Sequence, residues 1–209
     1  MSAIAWYFDF VSPYAYLCLK RLGELPTEVE IEYRPVLFAG LLQHWGQKGP
    51  AELATKRLWT YRWCQWSATR LGVPLRFPAT HPFNPLHHLR LAIAAGSTSE
   101  AVTRIFDAIW TSGADAGDAQ RFAALTAELG VDPARLGDAE IKDCLRRNTE
   151  DAARAGVFGV PTFVAEGELF WGVESLDLLT AWLADPTVLA SAEMKRLETL
   201  PFGALRRSG

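Results

Sequence analysis

The chain holds no Cys-x-x-Cys pair. Its three cysteines, Cys18, Cys64 and Cys144, stand far apart in 209 residues, which argues against both a zinc ribbon and a dithiol redox centre. Each reads as a small apolar side chain in or near a core. Basic runs are missing too. The net charge is −3 and no block of like charge appears, so neither nucleic acid nor an anionic membrane is an expected partner. No apolar run approaches the ~18 residues that a membrane span needs. No basic stretch leads into an apolar segment and cleavage site at the N-terminus, so a cytoplasmic protein without a signal peptide is expected. His81, His87 and His88 have no carboxylate or cysteine at metal-ligand spacing. They read as structural or surface residues, and no metal is expected.

What is present points to a globular protein. Hydrophobic residues make up 49% of the chain, enough for a sizeable core in one large domain or two small ones. The stretch Ile4 to Ala15 carries the strongest local signal. Ile4 to Phe10 is apolar except for Asp9, which suits a strand buried on both faces. Ser12 and Pro13 then form a helix start, Ser at the N-cap and Pro at the first helical position. Leu17, Leu19 and Leu22 follow, and Gly23 stands where a helix stops. Ser12 is therefore either an ordinary N-cap or a hydroxyl placed at the positive end of a helix dipole to stabilise a negative charge.

Glu28 to Pro35 alternates with period two and predicts a second strand with one solvated face, so residues 4–35 make a strand-helix-strand unit. Residues 40–50 read as a short turn and an exposed loop. A long helix is expected over residues 51–71, ending at Gly72-Val73-Pro74, with Trp59, Trp63, Trp66 and Arg70 on one face as a packing stripe. Asn84-Pro85 starts another helix, Ser97-Thr98-Ser99-Glu100 resembles a capping box before a helix that reaches Trp110, and further helices are expected over 118–129 and 138–155. Thr162–Ala165 and Glu168–Trp171 flank Glu166-Gly167 as a hairpin. A helix follows through Leu176, Leu179 and Leu183, and residues 201–209 read as a loose polar tail. The layout is α/β, with strands at both ends of the chain and helices between.

Three motifs together resemble a known family: Phe8-Asp9-Phe10-Val11-Ser12-Pro13-Tyr14, His81-Pro82-Phe83-Asn84-Pro85-Leu86, and Gly156-Val157-Phe158-Gly159-Val160-Pro161-Thr162-Phe163 with Phe170-Trp171-Gly172. Over nearly its whole length the chain is similar to the 2-hydroxychromene-2-carboxylate isomerases, relatives of kappa-class glutathione transferases and DsbA oxidases. The resemblance implies a thioredoxin-like fold with a large all-helical insertion: residues 1–37 and 138–209 as the thioredoxin-like domain and 38–137 as the insertion. It implies a cis Pro161 facing the Ser12 turn. It also implies glutathione as cofactor, with Ser12 in the place of the oxidases' reactive cysteine and donating a hydrogen bond to the glutathione sulfur.

Further roles follow from the resemblance alone. Ser12, Pro13, Lys56, Val160, Pro161, Glu174 and Ser175 would hold glutathione. Val160 would pair through its backbone with the cysteinyl part, and Glu174 and Ser175 would meet the γ-glutamyl end. Phe10, Tyr14, Trp59, Asn84 and Pro85 would line the substrate pocket. The reaction implied is ring opening of a chromene carboxylate to a trans-benzylidenepyruvate through a transient glutathione adduct. The partner implied is a small aromatic carboxylate, for which Lys56, Lys48 and Arg34 are the candidate cations. Relatives are commonly dimeric, so a homodimer is implied, although no pattern in the chain marks an interface. The chain departs from the family at Trp59, Trp63 and Trp66, where polar residues are expected, at Gln47, and at Val173-Glu174-Ser175. These departures keep open a kappa-like transferase and a non-catalytic glutathione-binding protein. Ser12 and Ala15 argue against a disulfide oxidoreductase.

Overall fold

The computed structural model describes residues 3–204. Residues 205–209, the end of the expected polar tail, lie outside it. Four strands form one mixed sheet in the order β2-β1-β3-β4. Strand β1 (Ile4–Phe8) is central, and Trp6 and Phe8 on it are fully buried. Helix α1 (Pro13–Arg21) returns the chain to β2 (Ile31–Pro35), which runs parallel to β1 with Ile4 opposite Ile31. On the other side of β1 lies β3 (Thr162–Ala165), antiparallel, with Trp6 opposite Phe163. Strand β4 (Glu168–Trp171) closes the hairpin. The hairpin turn places Glu166 and Gly167 at φ +50° and +91°. Such a turn matches the twist of its strands, and the second position suits glycine.

Between the parallel pair and the hairpin run α2 (Phe38–His44), α3 (Ala54–Leu71), α4 (Leu86–Ala94), α5 (Ser99–Trp110), α6 (Ala119–Glu128) and α7 (Ala139–Arg154). Helices α8 (Ser175–Ala184) and α9 (Ala192–Glu198) follow the hairpin. Phe8, Phe10 and Phe106 of α5 pack edge-on and tilted in the core, their ring centroids 4.6–5.7 Å apart. Burying such a ring stabilises the fold by roughly 1.5–3 kcal/mol. Among the described residues no helix is long and apolar enough to cross a membrane, and no three His, Cys, Asp or Glu side chains converge as metal ligands.

Two sequence expectations are corrected here. Residues 40–44, the start of the stretch 40–50 expected as a turn and loop, belong to α2 (Phe38–His44), with Leu41 buried. Its N-cap, Leu37, offers no side-chain acceptor. The free Phe38 N–H is instead taken by Asp9 Oδ2 at 2.9 Å, from the far end of β1, so the start signal is not local in sequence. The tryptophan stripe on α3 is not a packing face either. Helix α3 buries Thr60, Cys64, Ser67 and Ala68, small side chains that let it lie close to α1. Trp59 and Trp66, on the neighbouring face, remain 65% and 54% exposed. Trp63 alone of the three is half-buried, its ring 5.3 Å from that of Tyr14. The first turn and a half of α3, residues 54–59, is exposed at every position.

Candidate active site

The turn between β1 and α1 is fixed by hydrogen bonds at each step. Ser12 N–H donates to the Asp9 carbonyl at 3.0 Å, and Asp9 Oδ1 accepts from Val11 N–H at 3.0 Å. Ser12 is the N-cap of α1, its hydroxyl oxygen accepting from Ala15 N–H at 3.2 Å, with Pro13 at the first helical position. The same hydroxyl lies 3.5 Å from the carbonyl of Val160. Its proton is thus free to turn toward a stronger acceptor. The ordinary capping role and a role toward a ligand coincide in one atom, and the helix N-terminus supplies partial positive charge to both. The Val160–Pro161 bond is cis and faces the turn.

A cavity of about 500 Å³ opens above Ser12. Its floor is Val11, Ser12, Pro13 and Tyr14. One wall comes from Leu37, Phe38 and Leu42 at α2 and from the loop Gln47–Glu52. A second comes from Lys56, Arg57, Thr60 and Tyr61 of α3, and a third from His81, Pro82, Phe83 and Pro85. Phe158, Gly159, Val160 and Trp171 close it. The indole of Trp45, at the end of α2, donates to the Val157 carbonyl at 2.9 Å and ties two of these walls together. The walls are mostly apolar. Lys48, Lys56 and Arg57 line it, and none of them makes an ion pair among the described residues. An apolar hollow edged by free cations suits an organic anion.

Two titratable groups sit against the turn. Asp9 is fully buried, and its two oxygens accept from Val11 and Phe38 N–H. Burial pushes its pKa up to about 7, and those two N–H groups offset only part of that rise. His81 has its Nε2 2.8 Å from the Val11 carbonyl and its Nδ1 2.7 Å from the Tyr61 hydroxyl. Burial lowers its pKa, and the Val11 carbonyl opposes that shift. The Tyr14 phenol is pushed up by burial, and Cys64 on the buried face of α3 is pushed up to about 12 by the same cause. Cys64 and the fully buried Cys18 are therefore inert thiols.

Residues 3–184 match the family model of the DSBA-like thioredoxin domain. The chain is 31% identical to 2-hydroxychromene-2-carboxylate isomerase of Sphingobium xenophagum, over 88% of this chain and 99% of that protein. The chain belongs to the 2-hydroxychromene-2-carboxylate isomerase family. A solved 2-hydroxychromene-2-carboxylate isomerase shares its fold with a TM-score of 0.76 at 25% identity, covering 92% of this chain and 99% of that one. Glutathione S-transferase kappa 1 of Homo sapiens is more distant, 22% identical over 86% of this chain and 89% of that protein. The expected thioredoxin-like fold of DsbA type is therefore the observed one.

The structure brings together Ser12, Pro13, Tyr14, Lys56, Val160 and Pro85, all lining the one cavity. Lys48 joins them. Pro161 stands behind Val160 and is not part of the lining. Other residues named for this family site lie elsewhere. Phe10, in the turn after β1, is fully buried against Phe8 and Phe106 and does not line the cavity. Trp59 points to solvent. Asn84 is exposed outside the cavity, its Oδ1 accepting from Leu86 N–H at the start of α4. Arg34 pairs with Glu32 and Asp151 beside β2 and is not a cavity cation. Glu174 and Ser175 lie beyond Trp171, outside the lining, and the Ser175 hydroxyl donates to the Gly172 carbonyl at 2.7 Å. His81, read as structural or surface, lines the cavity and touches the active turn. Asp9, Arg57, Tyr61 and Trp171 line the cavity but were not among the site residues named from the sequence. The lone charge in the Ile4–Phe10 run was the signal for Asp9. Arg57 and Tyr61, beside Lys56 and one turn on, share its helix.

Proposed function

We propose that the protein is a glutathione-dependent isomerase of the 2-hydroxychromene-2-carboxylate type. The observation that carries this is the Ser12 hydroxyl, at a helix N-terminus in the floor of an apolar cavity whose edge holds Lys48, Lys56 and Arg57. The named isomerase relatives give the reaction class, and the kappa transferase relative gives the cofactor. The residues present fit glutathione. Val160 lines the cavity, and its N–H has no acceptor among the described residues. An extended cysteinyl backbone would pair with it as an added strand does. When bound, glutathione supplies a sulfur nucleophile that is released again, so no net redox change occurs.

The protein's own groups do the rest. Ser12 turns its proton from the Val160 carbonyl toward sulfur, and the dipole of α1 favours negative charge there. Lys56, with Lys48 and Arg57, receives carboxylates. Tyr14 and Trp171 offer flat walls to an aromatic ring. Glu174 and Ser175 lie outside the cavity lining, and their assignment to the γ-glutamyl end rests on the family resemblance alone.

The test is to mix the protein, glutathione and a 2-hydroxychromene-2-carboxylate and to follow the open-chain product by its ultraviolet absorbance. Isomerisation that requires glutathione and falls with Ser12→Ala is expected. A stable sulfur conjugate in place of the isomer would assign a transferase instead. Glutathione binding that Ser12→Ala leaves unchanged, with no turnover, would make this a binding protein.

A further inference from the structure

The residue before Ser12 is gripped from two sides. Val11 N–H donates to Asp9 Oδ1 at 3.0 Å, and the Val11 carbonyl lies 2.8 Å from His81 Nε2. A carbonyl only accepts, so Nε2 carries the imidazole proton. Nδ1 is then an acceptor, and the Tyr61 hydroxyl, 2.7 Å from Nδ1 and 3.0 Å from the His81 carbonyl, shares its one proton between the two. The second Asp9 oxygen accepts from Phe38 N–H at 2.9 Å. Asp9 and His81 thus tie Val11, directly or through one further bond, to four elements: the end of β1, the start of α2, the middle of α3 and the segment before α4. None of these bonds is needed to form α1, which has its own cap in Ser12 and its own Pro13.

We propose that Asp9 and His81 are positioning residues that fix both peptide planes flanking Val11 and thereby set the direction of the Ser12 hydroxyl. The proposal rests on the reading of Ser12 as the group that meets sulfur. Without the His81 bond the Val11–Ser12 plane is held only by the Ser12 N–H to Asp9 carbonyl bond. A reacting group needs to be held within about 0.5 Å of its working geometry. The neutral imidazole suits the task, because one nitrogen must donate while the other accepts. Burial supports that state by disfavouring a second proton.

A thiol placed by Ser12→Cys in the full chain reports on this geometry without glutathione. Its alkylation by iodoacetamide is followed against pH by peptide mass spectrometry, which separates it from Cys144. Cys18 and Cys64 are buried and silent. Adding His81→Phe should lower the alkylation rate at pH 7 about tenfold, the size of one lost hydrogen bond. His81→Gln, whose amide N–H still reaches toward a carbonyl, should restore most of it. Asp9→Asn should slow the reaction in the same sense. Equal rates in the Ser12→Cys protein with and without His81→Phe would overturn the proposal, as would a Gln variant no better than Phe. If His81→Phe loses the circular dichroism signature of the fold, Asp9→Asn in the Ser12→Cys protein decides, and an unchanged rate there would again overturn the proposal. Glutathione titration of the protein with native Ser12 is read separately. No binding there, with the His81 effect intact, would sink the glutathione reading and leave this inference standing.

Discussion

Replacing Asp9 with Asn should change how stability depends on pH. Asp9 is fully buried, and its pKa is pushed up from 3.8 to about 7, chiefly by burial. The unfolded chain loses this proton near pH 4 and the folded chain near pH 7. Between these values the folded state holds more protons, so stability falls as pH rises and levels off above 7. From pH 5 to pH 8 this one group should remove roughly 2.5 kcal/mol. Asn does not titrate and keeps one acceptor for the two N–H groups of Val11 and Phe38. At pH 5 the variant should be about 1 kcal/mol weaker, for one lost hydrogen bond. At pH 8 it should match or exceed the parent, since the buried charge is gone. Urea unfolding of both proteins at pH 5 and pH 8 checks this. Every other group titrates alike in the two, so the difference of differences isolates Asp9. Parallel changes in both proteins would refute the reasoning.

Four further outcomes are expected. Ser12→Ala should cost about 1 kcal/mol of stability through the lost N-cap and, on the proposed role of Ser12 toward the glutathione sulfur, roughly tenfold to a hundredfold in kcat/KM, checked by thermal melts and steady-state kinetics. Lys56→Ala and Arg57→Ala should each raise KM for an anionic substrate several-fold with kcat little changed, and added salt should weaken binding to the parent more than to the double variant. An added Cβ at Gly159 would come within 2.6 Å of Trp171 Nε1, so Gly159→Ala should shift the indole. Trp171 is 51% exposed and can move, so the loss should appear as weaker ligand binding more than as a lower melting temperature. Phe106→Ala, in the middle of the aromatic core, should cost about 3–5 kcal/mol, read by chemical denaturation.

Local signals in the sequence were legible, and distant ones were not. Ser12-Pro13 announced the start of α1, Glu166-Gly167 announced the hairpin, and Ser97-Thr98-Ser99-Glu100 announced α5, because each acts on its near neighbours. Helix α2 was hidden because the acceptor that starts it, Asp9, is a strand away in space and far back in the chain. The face of α3 was misread because bulk suggested burial, whereas close packing on α1 selected Thr60, Cys64, Ser67 and Ala68. The Ser12 turn, Lys56 and Val160 could be named from family motifs, and the structure places them at one cavity. Phe10 could not be oriented from its motif, since it lies in the turn after β1, beyond the strand's alternation. His81 and Tyr61 make sense only together, and nothing in their separation along the chain pairs them.

In mechanical terms α3 is a beam clamped at one end. Its anchor lies at Thr60 to Ala68, and its first turn and a half, residues 54–59, projects from that anchor with every position exposed. Lys56 and Arg57 ride on the projecting end, above Ser12. A load placed there, such as a carboxylate bridging to the floor, would act as a second support. Amides in the first turns of α3 should then exchange quickly with solvent in the empty protein and slow down when the cavity is filled, while those past Thr60 stay slow throughout.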